Sequence, residues 1–502
     1  MQHSHGPLTI GRHGEVRGSD LSRRSPQFEG RFGRMFRTLP PGRFDETMLI
    51  DLARAMTADL DDPPTPEDQV DDEENTGISA GYTYLGQFID HDLTFDPASS
   101  LQKQNDPDGL TDFRTPRFDL DCVYGRGPDD QPYLYREDGV HMLLGEKLTG
   151  NDADPKARMV PRVPPEDAER ARAALGDPRN DENVIVSQLQ SSMLRFHNRM
   201  ADLLGPSAAF DEVQRQVRWH YQWVVLHDFL PTIIGQDMVN SILGVSGPGK
   251  PIDPHLKFYK PQKQAFMPVE FSVAAYRFGH SMVRPIYRLN AKTERLRIFT
   301  AKGESLVGFR RFPTNLGIDW SLFFKMGDAP KTGPKRMQPA YKIDTSLVNP
   351  LGSLPPEVAK DPSSLPQRNL LRGFRMSLPS GQSVARAMGV KPIDDKDLRV
   401  GKATEADTPG KKLTEISPRF AGNAPLWYYI LAEAQQQFKK NDTPIRLGAV
   451  GGRIVGEVFV GLMLFDSHSY IRQNPNFTPR SDMTSPSGEF KMADLLRQAM
   501  QA

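Results

Sequence analysis

The sequence predicts a mainly α fold with long irregular connections and little strand. Three observations lead there: apolar residues recur three and four apart over several segments, period-two alternation is sparse, and 43 Pro with 41 Gly in 502 residues demand many turns. At about 150 residues per domain the length allows about three domains or one large helical one. There is no internal repeat or low-complexity tract, so the division expected is an irregular arm over residues 1–75 and one domain over 76–502.

The arm is polar and ends in LDDPPTPEDQVDDEENTG, a Pro and acid run with too little apolar surface to fold alone. From Tyr82, YTYLGQFIDHDLTF places Leu85, Phe88, Ile89 and Leu93 at helical spacing. RTPRFDLDCVYGRGPDD then packs carboxylates, Pro and Gly into a loop. SQLQSSMLRFHNRMADLLG is a helix stopped by Gly205, and a longer one runs from Phe210 to Leu230, ended by Pro231. A third passes through VEFSVAAYRFGHSMV to about Val283. Residues 300–364, rich in Gly and Pro and without periodicity, are expected to wrap the surface. Helices resume at Pro425–Lys440, Gly451–Phe465 and Phe490–Met500.

Composition excludes several functions. Lys+Arg 63 balances Asp+Glu 63, so the basic footprint of a general nucleic-acid or membrane-surface binder is missing. One cysteine, Cys122, cannot build a disulfide framework, a thiolate zinc site or an iron–sulfur cluster, and it reads as a small buried residue. Val458–Phe465 is far shorter than the roughly 20 apolar residues of a membrane span, so it reads as a core helix. The N-terminus has no apolar block of the kind a cleavable secretion signal needs.

Three places could carry chemistry. Gln87 and His91 lie one turn apart on one helix face, while Asp90 and Asp92 point elsewhere, so a single helix can serve several sites. Asp119 and Asp121 alternate behind Thr115, which suits a hard cation such as calcium, with Asp92 adding a carboxylate; a solvated acidic turn is the alternative. His280 follows an apolar helix and is flanked by Gly279, which permits close approach of a flat group; a neutral imidazole there could be an iron ligand or a packed core histidine. His197, His220 and His227 are flanked by aromatic residues and read as packing, and His3, His5 and His13 as solvated. RNDEN and KKNDTP read as exposed turns.

Together GQFIDHDLTFDP, TPRFDLDCVYG, GDPRNDEN with MLRFHNRMADLL, HDFLPTIIG, YRFGHSMVRPIYRLN and RNLLRGFRMSLPSG resemble, in order and spacing over about residues 80–470, the animal-type haem peroxidases of the peroxidase–cyclooxygenase superfamily in a compact, bacterial-like form. The resemblance implies a helical haem peroxidase domain with haem b and calcium. It casts His91 as the distal base, Gln87 as its distal companion and Arg179 as the distal arginine. It makes His280 the proximal iron ligand, Asn369 the acceptor of that ring's other N–H, and Arg372 a partner for a haem propionate. Asp90 and Glu182 fall on positions that form haem esters in the mammalian enzymes, while Asn183 stands where a sulfonium link needs Met. Asp92, Thr115, Asp119, Asp121 and the carbonyl of Arg117 match the calcium ligands.

The activity implied is reduction of hydrogen peroxide through an oxoferryl intermediate at the expense of a halide or a small phenolic donor. A fatty-acid oxygenase is the runner-up, but it needs a tyrosine three residues before the proximal histidine, where Arg277 stands, with Tyr276 about 100° away around a helix. Arg277 itself could be structural or a charge on the substrate side. A non-catalytic haem or adhesion module would be expected to lack His91 or Arg179, and both are present. Calcium suits the extracellular space although no signal is seen, which leaves export by another route or a cytoplasmic location.

Overall fold

In the computed structural model, residues 30–60, 62–95, 101–102, 104–105, 111–163, 171–244, 252–262, 264–300, 305–404, 410–438 and 443–502 are described. The arm histidines and residues 439–442 of KKNDTP lie outside them.

The fold is helical, with only short strands among the described residues. β1 (Gly30–Gly33) lies between β3 (Thr111–Asp112), antiparallel, and β4 (Met267–Pro268), parallel; β2 (Glu74–Ser79) pairs with β7 (Pro339–Tyr341), and β5 (Ile286–Tyr287) with β6 (Leu296–Arg297). The helices in chain order are α1 (Glu46–Ala55), α2 (Ala80–Leu93), α3 (Asp121–Tyr124), α4 (Val184–Leu204), α5 (Phe210–Val224), α6 (Leu230–Ile234) and α7 (Gln236–Leu243). They continue with α8 (Leu365–Arg375), α9 (Gly381–Ala387), α10 (Leu413–Ile416), α11 (Leu426–Gln435), α12 (Ala449–Phe465), α13 (Tyr470–Gln473) and α14 (Met492–Ala499). No described helix is long and apolar enough to cross a membrane.

Two central helices show why the sequence folds this way. Asn183 caps α4, its Oδ1 accepting from Ile185 N and Val186 N, and Gly205 at φ 91° ends it. Between these signals nearly every side chain is buried, because α2, α5 and α14 all pack on α4. α12 is the core helix expected near the C-terminus. A Cβ on its Gly456 would stand 2.4 Å from Ile242 Cδ1, so a larger residue there makes the Ile242 side chain shift where α12 meets α7.

Several expectations need correction. Pro231 does not end the long helix. α5 stops at Val224, a π-type turn occupies Val225–Phe229, and α6 carries on past Pro231 to Ile234; the wider turn just before it changes the hydrogen-bond register where Pro231 has no N–H to give. The segment leading to His280 is not one α-helix either. It is a π-type turn over Glu270–Ala274 and a 3-10 turn over Ala275–His280, separated at Ala274 (φ −129°, ψ −71°), and it finishes at His280 rather than Val283.

Residues 305–364 do not merely wrap the surface: Leu306, Ile318, Trp320, Phe323 and Ala340 are core, buried without the spacing that would announce it. Nor are the described residues of the arm wholly irregular. Asp45 caps α1 by accepting from Met48 N. Asp71 and Glu74 of the acid run are buried against Arg284 and Arg336, whose charges compensate theirs.

Candidate active site

α2 carries four of the expected site residues in two turns. His91 is 4% exposed. Its Nδ1 lies 2.7 Å from Asn180 Oδ1, and Asn180 Nδ2 donates to Gln190 Oε1 at 2.9 Å. An amide oxygen only accepts, so Nδ1 carries the ring hydrogen and Nε2 is bare. Burial, helped by the charge of Arg179, pulls the imidazole down to about 4, so it is neutral at pH 7.

Arg179 is held from both sides. Its Nη2 donates to the His91 carbonyl at 3.0 Å and to Asp177 Oδ2 at 2.7 Å, and its Nε reaches Asp177 Oδ1 at 3.1 Å. Asp177 is buried and shared with Arg114, whose Nε donates at 3.1 Å. Burial opposes its charge, but the two guanidinium groups win and hold the carboxyl well below the usual carboxylate range. Gln87 Nε2 lies 3.4 Å from Glu182 Oε2, and its Oε1 accepts from Asn183 Nδ2 at 3.2 Å. Burial pushes Glu182 up to about 7, so it is partly protonated at neutral pH. Asp90 Oδ1 accepts from Thr94 Oγ1 at 3.2 Å.

α2 packs against the turn that ends in His280, and the Tyr276 hydroxyl donates to the Gly86 carbonyl at 3.2 Å. His280 is pulled down to about 3 by burial and by Arg277. Asn369 on α8 reaches its Nδ1 at 2.8 Å, but through the amide nitrogen; the amide oxygen accepts from Arg277 Nη1 at 3.3 Å. This reverses the expected polarity, because a guanidinium beside the amide can be met only by its oxygen. Arg372 lies one turn further along α8, half-buried.

The remaining expected residues meet on the far side of α2. Asp92, Asp119 and Asp121 each bring a carboxylate oxygen within 4.8 Å of the others. Asp92 is fully buried beside the Cys122 thiol and the Tyr221 hydroxyl, and neither oxygen makes a well-formed hydrogen bond among the described residues. Burial and then the two neighbouring aspartates raise its carboxyl well above the ordinary value, and burial pushes Asp121 up to about 7. Thr115 Oγ1 donates to Asp119 Oδ2 at 2.6 Å, and Arg117 N donates to the Thr115 carbonyl at 2.8 Å. Cys122 is buried beside them.

The sequence profile of the animal haem peroxidase family matches residues 102–307. Over that stretch the chain is similar to the animal haem peroxidase domain. Thyroid peroxidase of Canis lupus familiaris is 27% identical over 212 residues, 39% of this chain and 21% of that protein. Chorion peroxidase of Aedes aegypti is 28% identical over 120 residues, 22% of this chain and 15% of that protein. The match thus spans about a fifth or less of these relatives' length.

The fold is shared more widely. Peroxidase A from Dictyostelium discoideum superposes with a TM-score of 0.60 at 16% identity, covering 94% of this chain and 96% of that one. The fatty acid alpha-dioxygenase of Oryza sativa does so at 0.56 and 15%, covering 92% and 77%.

The animal haem peroxidase family implies haem, and the residues here fit one. Two imidazoles are kept neutral on elements that touch, and a Cβ placed on Gly279, beside His280, would meet nothing within 4 Å. A ring that ligates iron through Nε2 must donate from Nδ1, so haem binding asks Asn369 to present its oxygen instead.

Four contributors to the site escaped the sequence reading: Asn180, Asp177, Gln190 and Arg114. The RNDEN segment, read as an exposed turn, buries Asn180 and Asp181 almost completely. The available signal was local, since Asp177 and Asn180 flank the arginine already singled out.

Proposed function

We propose that this chain is a haem-dependent peroxidase that reduces hydrogen peroxide with electrons from a halide or a small phenolic donor. One observation carries the reading: a neutral imidazole with its Nε2 bare sits beside a fixed guanidinium, on a helix that touches the turn bearing a second neutral imidazole backed by an amide.

In this reading His280 holds the iron of haem b, Asn369 orients the ring and Arg372 pairs with a propionate. Asp90 and Glu182 are the carboxylates available for ester links, and Asn183 offers no sulfonium link. Bound haem supplies the redox chemistry. The chain supplies proton management. Nε2 of His91 takes the proton of hydrogen peroxide and delivers it to the departing oxygen as water leaves. Arg179, fixed by Asp177, places positive charge where that oxygen's negative charge develops. Gln87, tied to Glu182 and Asn183, orders water or halide beside His91. Asp92, Thr115, Asp119, Asp121 and the Arg117 carbonyl hold calcium, which brings the buried Asp92 carboxyl a cation.

The fatty-acid oxygenase reading is disfavoured because Arg277 holds the position three before His280, and the Tyr276 hydroxyl is engaged with the Gly86 carbonyl.

The test is a Soret spectrum and acid–butanone extraction of the purified chain, then peroxide consumption with iodide and with a phenol. His91→Ala with haem retained should slow the peroxide reaction by about 100-fold or more. An unchanged rate rejects His91 as the base, and failure to bind haem rejects the whole reading. Oxygen uptake with a polyunsaturated fatty acid would favour the runner-up.

A further inference from the structure

An aromatic cluster on the outer side of α5 takes no part in the proposed reaction. Trp223 stacks on His227 with ring centroids 3.9 Å apart and planes inclined by 29°. The Tyr470 hydroxyl lies 3.0 Å from His227 Nε2, and the Trp223 and Tyr470 rings are 5.9 Å apart. Phe477 closes the group, 5.6 Å from Tyr470 and 6.2 Å from Trp223. Tyr470 is 2% exposed, Trp223 is half-buried and His227 is exposed. An oxidisable phenol therefore sits inside, its proton acceptor touches water, and an indole is presented at the surface.

The cluster is also connected inward. Tyr221, about 200° round α5 from Trp223, packs edge-on against Phe88 at 6.1 Å, and Phe88 is the residue after Gln87. Tyr221 also meets Phe118 at 6.3 Å, Phe118 meets Phe459 at 5.0 Å, and Phe459 meets Tyr276 at 5.3 Å. Only the width of one helix, about 10–12 Å, separates Tyr221 from the outer cluster. Gln222 fastens the two sides, its Oε1 accepting from Tyr470 N and its Nε2 donating to the Phe118 carbonyl, both at 3.0 Å.

Proton partners decide where an electron vacancy settles. Burial raises all three phenols, so a buried tyrosine loses an electron readily only if its proton has somewhere to go. The Tyr221 hydroxyl faces the Asp92 carboxyl, which clusters with Asp119 and Asp121, and Tyr276 donates to a carbonyl, which cannot take a proton at neutral pH. Tyr470 alone of the three faces an imidazole.

We propose that Trp223, His227 and Tyr470 form a second, surface oxidation site, where aromatic one-electron donors too bulky for the buried site are oxidised through Tyr221 and Tyr276. The proposal rests on the peroxidase reading, in which the reaction with peroxide supplies the oxidant. Tyr470 gives an electron inward and its proton to His227 Nε2, leaving a tyrosyl radical beside an imidazolium. A phenol at Trp223 then yields one electron, which refills Tyr470 by way of the indole, and releases its own proton to water; the proton on His227 returns to Tyr470. Two such turns balance as one hydrogen peroxide and two phenols giving two water and two phenoxyl radicals.

The experiment uses the haem-loaded full chain with peroxide and 2-methyl-2-nitrosopropane as spin trap, followed by digestion and mass spectrometry. Trap adducts on Tyr470 or Trp223 are expected, and should vanish in the variant carrying both Trp223→Phe and Tyr470→Phe. In parallel, iodide and tyramine coupled to dextran serve as small and bulky donors. Trp223→Phe, Tyr470→Phe and His227→Gln should each lower kcat/KM for dextran-tyramine by about tenfold or more while iodide oxidation is unchanged. His227→Gln leaves both oxidisable rings in place, so its loss reports the proton acceptor rather than packing. Normal iodide oxidation with no adduct at either residue, and with dextran-tyramine rates equal in all variants, overturns the proposal. A wild-type chain that binds haem yet oxidises no iodide and forms no adduct counts against the peroxidase reading itself.

Discussion

Asn180 accepts from Nδ1 of His91 at 2.7 Å and so decides which nitrogen of that ring is bare. The amide is itself oriented, since its Nδ2 is spent on Gln190. Asn180→Ala should leave haem content unchanged and slow the reaction with peroxide by about tenfold or more, read by stopped-flow absorbance. A rate equal to the wild type would mean that the ring keeps its tautomer unaided.

Asp177 balances two buried or half-buried guanidinium groups, Arg114 and Arg179. Asp177→Asn removes the charge at constant size and leaves Arg114 in a dry interior with less compensation. A loss of about 3–5 kcal/mol in urea unfolding is expected, together with slower peroxide consumption as Arg179 loses its anchor. Retained stability would show that Asp121, 3.0 Å from Arg114 Nη1, suffices by itself.

Calcium should behave as a structural ligand of the Asp92, Asp119 and Asp121 cluster. At about 100 times its dissociation constant it would add about 2.7 kcal/mol, so EGTA should lower Tm and calcium, but not magnesium, should restore it. Asp92→Asn should abolish the calcium-dependent part of the shift. A wild-type Tm indifferent to both EGTA and calcium contradicts the site.

Acid sensitivity should come largely from buried histidines. His197 and His220 are fully buried, and burial pulls each from 6.5 to about 4. Between those values the unfolded chain binds protons that the native one refuses, so stability is complete above about pH 6.5 and is lost as pH falls towards 4. Each group adds up to about 1.4 kcal/mol per pH unit in that window. His197→Gln should flatten the pH dependence of the urea midpoint by about one proton; parallel curves for variant and wild type would assign the effect elsewhere.

Where the sequence was legible, one signal sufficed. α2 and α4 show their apolar spacing, α4 its caps as well, and the placing of Gln87, His91 and Asp92 follows from where α2 points its faces. What was hidden depends on partners far along the chain. Asn180 looks like a turn residue until Gln190 and His91 close over it, and Trp320 and Phe323 have no periodicity to declare them core. The π-type turn at Val225–Phe229 is equally silent, because an added residue per turn changes which side chains face inward without changing composition. Asn369 was found by its place in a motif, but which end of its amide meets His280 depends on Arg277, a neighbour in space as well as in sequence.

The ion pairs around Arg284 bear on where the folding unit begins. Glu74 is bound by both Arg284 and Arg336, and Asp71 by Arg284 and the Tyr341 hydroxyl. A truncation starting at residue 76 would remove both carboxylates and strand a fully buried guanidinium against β7. A folding unit that keeps these ion pairs starts upstream of Asp71, inside a stretch whose composition reads as too polar to fold alone, and an expression boundary drawn by hydropathy would cut through the protein's own counter-ions.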